Sequence, residues 1–191
     1  MPFVCVPFGT RNHFARDLGL DRRDPLAALE AFGGDERRVD VGRVDDRLFL
    51  NNVSFGAYAS LVHRREHHRR RRDALARARA LLRTVRRPHR LHLIVDGEPF
   101  VARVILVANN GYELRLFDLG ARESLTEGRL HLYSASGLLP TAWEERTAES
   151  FEFGDRGLVA GALDGEPIQL ERPFTCRVEP QALRVLVPPG R

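Results

Sequence analysis

The sequence predicts an α+β fold, a β-sandwich domain with a helical insert, and three observations predict it. Residues 89–187 are a succession of short apolar runs separated by turns rich in Gly, Asp and Pro. Residues 57–86 instead carry apolar side chains at helical spacing. Ahead of both lies one short apolar strand with no βα unit before it, and it reads as the last piece of a further domain.

The elements follow in order. Residues 3–6 are a buried-strand pattern closed by Pro7 and a turn at Gly9. Asn12 to Leu18 is a short helix stopped at Gly19. Pro25 to Phe32 is a second helix, with Asp24 as N-cap and Gly33-Gly34 as its stop. Strands are expected at Arg38–Arg43 and Leu48–Ser54, across a turn at Asp45-Asp46. Leu75, Ala78, Leu81, Leu82 and Val85 form the apolar stripe of the arginine-rich helical insert, which Pro88 ends. Leu91, Leu93 and Val95 alternate, Asp96-Gly97 is a hairpin signal, and Val101–Ala108 is the return strand. Further strands are expected at Arg129–Ser134, Phe151–Phe153, Leu158–Leu163, Phe174–Val178 and Leu183–Val187.

The 191 residues are 43% hydrophobic and 29% charged, with a formal net charge of +4, a composition that argues against global disorder. All 30 basic residues are arginine. The absence of lysine excludes both a P-loop lysine and a Schiff-base lysine, while arginine keeps its charge and offers a planar fork for phosphate and carboxylate. Cys5 and Cys176 have no metal or disulfide spacing, which suits a reducing cytosol. The apolar start is too short for a signal core or a membrane span. The expectation is a cytoplasmic protein, at most peripheral to a membrane.

Five blocks resemble one family in order and in approximate spacing. Pro7-Phe8-Gly9-Thr10-Arg11-Asn12-His13-Phe14-Ala15-Arg16 resembles the P-x-G-T-x-N-D-F-A-R segment of the bacterial diacylglycerol and sphingosine kinase family. Asp40-Val41-Gly42-Arg43-Val44, then Phe49-Leu50-Asn51-Asn52-Val53-Ser54-Phe55-Gly56, is similar to its D-L-G-x-V…F-x-N-x-x-S-x-G block. Val107-Ala108-Asn109-Asn110 resembles its next strand and polar turn. Leu163-Asp164-Gly165-Glu166-Pro167 resembles its L-D-G-E-P loop, and Ala182-Leu183-Arg184-Val185-Leu186-Val187-Pro188 its closing strand.

That resemblance implies a two-domain lipid kinase, with an α/β nucleotide-binding domain followed by the β-sandwich. Residues 1–36 would be the remnant of the first, and residues 37–191 the second, with the insert at about 57–87. It also implies ATP and Mg2+ as cofactors and a lipid substrate such as diacylglycerol. The family's G-G-D-G-T loop would precede Gly9 and does not occur there. The chain is therefore expected to be N-terminally truncated, inactive alone, and partnered by a missing N-terminal kinase half. By the same resemblance Asp164 is the catalytic base, Gly9, Thr10 and Asn12 lie on the nucleotide side of the cleft, and Glu127 is the one acid left where the family has a metal-binding turn. His13 replaces the family's usual aspartate, which departs from its pattern of magnesium use.

Residue chemistry sets bounds on these roles. Phosphoryl transfer to a hydroxyl needs a base and donors on the phosphates. Asp-Gly is also the commonest hairpin turn pair, and Asp96-Gly97-Glu98-Pro99 repeats the tetrapeptide at Asp164. Thr10 and Asn12 have an ordinary use as turn and cap residues. Gly33-Gly34-Asp35 reads as a helix C-cap and turn. His63, Glu66, His67 and His68 lie among arginines without a third ligand spacing, and read as a solvated basic face. Arg64, Arg65 and Arg69–Arg72 concentrate charge that suits anionic headgroups, at about 1 kcal/mol per residue near a membrane surface. No nucleic-acid motif or aromatic interleaving accompanies them. The alternative to the kinase is a non-catalytic lipid- or membrane-binding module.

Overall fold

The computed structural model describes residues 1–9, 12–56, 90–115, 118–119, 121–135 and 143–189. The helical insert with its histidines and its arginine run, as well as Thr10, lies outside the described residues. Those described form a mostly antiparallel sheet with few helices. It comprises β1 (Phe3–Val4), β2 (Asp35–Val44), β3 (Arg47–Phe49), β4 (Asn52–Gly56), β5 (Leu91–Val95), β6 (Glu98–Ala102) and β7 (Val104–Asn109). A small ribbon, β8 (Leu114–Arg115) and β9 (Asp118–Leu119), precedes β10 (Leu130–Ala135), β11 (Glu144–Ala148), β12 (Ser150–Leu163) and β13 (Glu166–Val187).

Hydrogen bonding is continuous through eleven of these strands: eight in the order β11-β10-β7-β4-β12-β13-β2-β3, with β1 paired to β13, β5 to β12, and β6 to β5. The expected pair of facing sheets is thus, among the described residues, one bonded sheet. The reason lies in β12 and β13, each expected as two short strands. Each runs on through an irregularity, at Phe153/Gly157 in β12 and at Glu179/Leu183 opposite β2. A bulge lets a strand bend without ending, so β12 serves β5 at Phe153–Gly154 and β4 at Gly161–Leu163. Side chains from both stretches enter one core, where Phe55, Phe153 and Phe174 meet at centroid separations of 4.8 to 5.6 Å.

Other boundaries shift for local reasons. The strand expected at 48–54 is broken by Leu50 and Asn51, and the one expected at 101–108 is broken at Arg103. Asp24 accepts the N–H of Leu26 and of Ala27 at 3.1 Å and so shapes the turn ahead of the helix, whose N-cap is Leu26 rather than the expected Asp24. The segment beyond it winds as a 3-10 helix, Ala27–Gly33, rather than an α-helix. Helix α1 is His13–Asp17. Gly42 of the D-V-G block is required for space, because a Cβ there would collide with the buried Phe49 ring.

Residues 1–36 pack onto the sheet. β1 pairs in parallel with β13, Phe3 opposite Val185. Ala15, Leu18, Leu20 and Ala28 share a core with Val39, Val185 and Val187. The outer side of this segment stays apolar: Phe8, Leu26 and Phe32 are 79%, 72% and 70% exposed. No helix among the described residues is long and apolar enough to cross a membrane.

Cys176 lies in the main core, where burial pushes its thiol pKa far up, while burial raises that of the half-buried Cys5 as well. Thiol titration of the native protein should leave Cys176 unlabelled until denaturant is added, since the thiolate is the reacting form. Rapid labelling of both cysteines under native conditions would contradict this core.

Candidate functional site

The site forms where three turns meet. Asp164 occupies the first position of the β12–β13 turn, with φ 48°, followed by Gly165 at φ 92°. Asp-Gly suits this left-handed pair because Asp tolerates it and Gly has no Cβ to strain. The turn projects Asp164 over the backbone between β3 and β4. Oδ2 accepts the Leu50 N–H at 2.7 Å, and Oδ1 accepts those of Asn51 and Asn52 at 2.8 and 2.9 Å. The Asp164 N–H in turn donates to the Asn52 carbonyl at 2.9 Å.

The residue is exposed as a whole, yet its carboxylate lies folded against protein. Burial raises its pKa above the ordinary aspartate value, opposed by the three N–H donors and by the Arg122 guanidinium. An ionised carboxylate has about four acceptor places. Three are filled, and the remaining one is on Oδ2.

Asp96 in the β5–β6 turn is the internal comparison. It has the same left-handed conformation, φ 52° with Gly97 at 82°. It also exchanges bonds with a neighbouring strand, accepting the Glu152 N–H at 2.8 Å and donating to the Glu152 carbonyl at 2.9 Å. One donor holds it, against three on Asp164. Turn chemistry therefore accounts for both copies of the tetrapeptide, and only the surroundings separate them.

Those surroundings are built by Arg122, 5% exposed. Its Nε donates to Asp17 Oδ2 at 2.7 Å, and both side chains of this ion pair are fully buried. One terminal nitrogen donates to the carbonyls of Leu50 at 2.6 Å and Asn109 at 3.0 Å, and the other to Asn51 Oδ1 at 3.3 Å. The rings of Phe14 and Tyr112 lie 6.0 and 5.4 Å from its guanidinium carbon. Arg122 thus holds the carbonyl side of the Leu50–Asn52 segment while Asp164 holds its N–H side. Through Asp17 the same guanidinium ties this segment to α1. Neither Arg122 nor Asp17 was a sequence candidate; they are 105 positions apart, and neither stands in a recognisable motif.

The nucleotide-side candidates are in the turn before α1. Asn12 has φ 48° and donates from Nδ2 to the Pro7 carbonyl at 3.0 Å. Gly9 lies under the same amide, where a Cβ would come 2.8 Å from Asn12 Oδ1. Both residues therefore shape the turn. Asp164 joins Asn52 directly and is linked to α1 through the Leu50–Asn52 backbone, Arg122 and Asp17.

Asp40, of the D-V-G block, is a second organising carboxylate and is 2% exposed. It accepts the Gly128 N–H at 2.7 Å and the Gln181 N–H at 2.8 Å, joining β2, the loop before β10 and the bulge of β13.

Glu127, the acid expected at a metal-binding turn, is engaged by protein groups. Its oxygens accept the Gly111 N–H and meet His131 Nε2 at 2.7 Å, and the other ring nitrogen of His131 meets Glu145 at 2.7 Å. Among the described residues no group of three or more His, Cys, Asp or Glu is suited to hold a metal ion.

Comparison with known proteins adds the following. The family model described as the diacylglycerol kinase catalytic domain matches residues 1–44. A diacylglycerol kinase of Bacillus subtilis (strain 168) is 37% identical over 59 residues, 30% of this chain and 20% of that protein. A diacylglycerol kinase of Mycobacterium tuberculosis (strain H37Rv) is 29% identical over 121 residues, 58% of this chain and 38% of that protein. The matched stretches thus span well under two thirds of these relatives. One solved structure from Bacillus anthracis (strain Sterne) superposes with a TM-score of 0.68 at 18% identity, over 97% of this chain and 69% of the other. A second from that organism, a diacylglycerol kinase, gives 0.61 at 15%, over 95% and 65%. At these identities the superpositions speak for the fold alone.

Proposed function

Because the chain belongs to the diacylglycerol-kinase-like family of lipid kinases, we propose that it supplies the acceptor side of an ATP-dependent lipid kinase, with Asp164 as the base. The observation that carries this reading is the carboxylate held by three backbone N–H groups with one acceptor place left on Oδ2. That place takes the proton of a lipid hydroxyl. The hydroxyl oxygen forms a bond to the γ-phosphorus of ATP as the bond to the β–γ bridging oxygen breaks, giving a lipid phosphate, ADP and a proton. Diacylglycerol is the proposed substrate, as the hydroxyl-bearing lipid of the named relatives.

Gly9, Thr10 and Asn12 are proposed for the nucleotide side of the cleft. Magnesium would neutralise charge on the phosphates; the described residues hold no set suited to it, so no step of this chain is drawn through the ion. The proposed partner is a nucleotide-binding half. In support, β1 pairs with β13 alone among the described residues, and Phe3, Phe8, Leu26 and Phe32 leave apolar surface beside it. Salt-sensitive contact with anionic lipid through Arg64, Arg65 and Arg69–Arg72 is proposed on their charge.

A labelled-ATP assay with diacylglycerol in mixed micelles tests the proposal. The 191-residue chain alone should make no labelled lipid, and the chain joined to a nucleotide-binding half should make it. Its rate should fall as pH drops through a value above that of an ordinary aspartate, because the base acts only when ionised and burial raises the pKa of Asp164. Robust turnover by the chain alone would overturn the need for a second half. A completed chain that makes no labelled lipid would overturn the kinase reading.

A further inference from the structure

The outer edge of β2 carries a second site. Among the described residues, β3 pairs only with Gly42–Val44. Beside the earlier part of β2 runs the loop 122–126, tied to it by the Asp40 N–H to the Leu125 carbonyl at 2.8 Å. Between them lies a cavity of about 300 Å3, lined by the end of α1, by Arg37, Arg38 and Val39, and by the loop from Arg122 to Thr126. That volume is at the lower end of small-ligand sites.

The lining has the chemistry of an anion site. Arg37 and Arg38 are exposed, and neither forms an ion pair among the described residues. Asp17 adds no open negative charge: Oδ1 faces Arg16 at 2.9 Å, Oδ2 faces Arg122 at 2.7 Å, and its side chain is fully buried. Glu123, on the exposed rim, is the remaining acid of the lining. Two guanidinium charges thus stand against one carboxylate.

Neutral donors complete the set. Ser124 Oγ accepts the Thr126 N–H at 3.1 Å and lies 3.4 Å from Thr126 Oγ1, so the loop presents two hydroxyls together. Along a strand, backbone N–H groups alternate between edges. The Asp40 N–H bonds outward to the loop, so the Arg38 N–H, two residues earlier, points to the same edge. A cation would be repelled by this lining. Arg37 and Arg38 leave opposite faces of β2, so their guanidinium groups would flank, from its two sides, an oxyanion held at the strand edge by the hydroxyl and N–H donors.

We propose that this cavity binds a phosphate monoester group through Arg37, Arg38, Ser124 and Thr126. The ligand is the headgroup of a lipid phosphate or a soluble phosphate, two sources with one chemistry. The site does not use Asp164, so it stands or falls independently of the kinase reading.

Titration of the 191-residue chain, followed by calorimetry and by 31P NMR, would use inorganic phosphate, glycerol 3-phosphate and a water-soluble short-chain phosphatidic acid. Saturable binding that weakens with salt is expected. The R37Q/R38Q variant should lose roughly tenfold or more in affinity, with unchanged thermal unfolding. S124A/T126A should weaken binding less, and Glu123→Gln should strengthen it. Arg47→Gln, an exposed arginine on β3, should have no effect. Phosphatidic acid binding well above glycerol 3-phosphate would assign the lipid source, and equal affinities the soluble one; either supports the site. No saturable binding of any of the three, or equal loss in Arg47→Gln and R37Q/R38Q, would overturn it.

Discussion

Arg122→Ala is expected to lower the free energy of unfolding by about 3–5 kcal/mol, the range for removing one partner of a buried ion pair. The carboxylate left behind, Asp17, has no exposed side-chain surface to recover hydration and keeps only the partly exposed Arg16 as an ion-pair partner. The carbonyls of Leu50 and Asn109 each lose a donor too, Leu50 keeping the Asn109 amide at 3.3 Å. Arg122→Lys keeps the charge but not the fork, and a single ammonium cannot reach Asp17, Leu50, Asn109 and Asn51 together; it should fall between wild type and alanine. The double variant D17N/R122M should recover part of the loss, because it removes the stranded charge. Urea unfolding of wild type, D17N, R122M and D17N/R122M checks this as a double-mutant cycle, with Arg122→Ala and Arg122→Lys measured alongside. A loss below about 1 kcal/mol for Arg122→Ala, the level of an exposed pair, would mean that Arg122 does not clamp the Leu50–Asn52 segment.

The largest effect on activity is expected at Asp164. In the proposed assembly of this chain with a nucleotide-binding half, Asp164→Asn should reduce kcat by about 10²–10⁴-fold, the usual contribution of a positioned general base. Asparagine retains one acceptor oxygen for two of the three N–H groups. Its amide nitrogen would then face the third, that of Leu50, as donor against donor, and an unmet buried donor costs about 1–3 kcal/mol. Stability is therefore measured alongside turnover, so that loss of folding is not read as loss of chemistry. Asp96→Asn supplies the control, since that turn has the same conformation and a similar latch to its neighbour. It should leave kcat unchanged. Equal loss of kcat in both variants would show that the tetrapeptide acts through turn structure and would remove Asp164 as the base.

The two Asp-Gly turns also show what local sequence determines. A left-handed two-residue turn favours Asp then Gly, so both hairpins are legible from four letters each. The five blocks with their spacing were likewise sufficient to recognise the lipid kinase family, because the residues that shape its turns are close neighbours in the chain. What lies between such signals was less legible. Four apolar runs were read as four strands, yet they form two, β12 and β13, since a bulge carries a strand through residues that look like an ending. Asp35–Arg37 lengthen β2 because Val185, Leu186 and Val187 wait opposite, a pairing fixed by partners about 150 residues away.

The candidate site divides along the same line. Sequence nominated Asp164 but could not distinguish it from Asp96, whose local chemistry is the same. Tertiary structure decided that one carboxylate meets three N–H groups and the other meets one. It also decided that Glu127 is taken up by Gly111 and His131, and that Asp17 and Arg122 form a buried pair joining α1 to the Leu50–Asn52 turn. The physical reason is one of range. A turn is specified by the φ and ψ preferences of the residues within it, whereas the strength and accessibility of a charge depend on burial and on donors brought from distant parts of the chain.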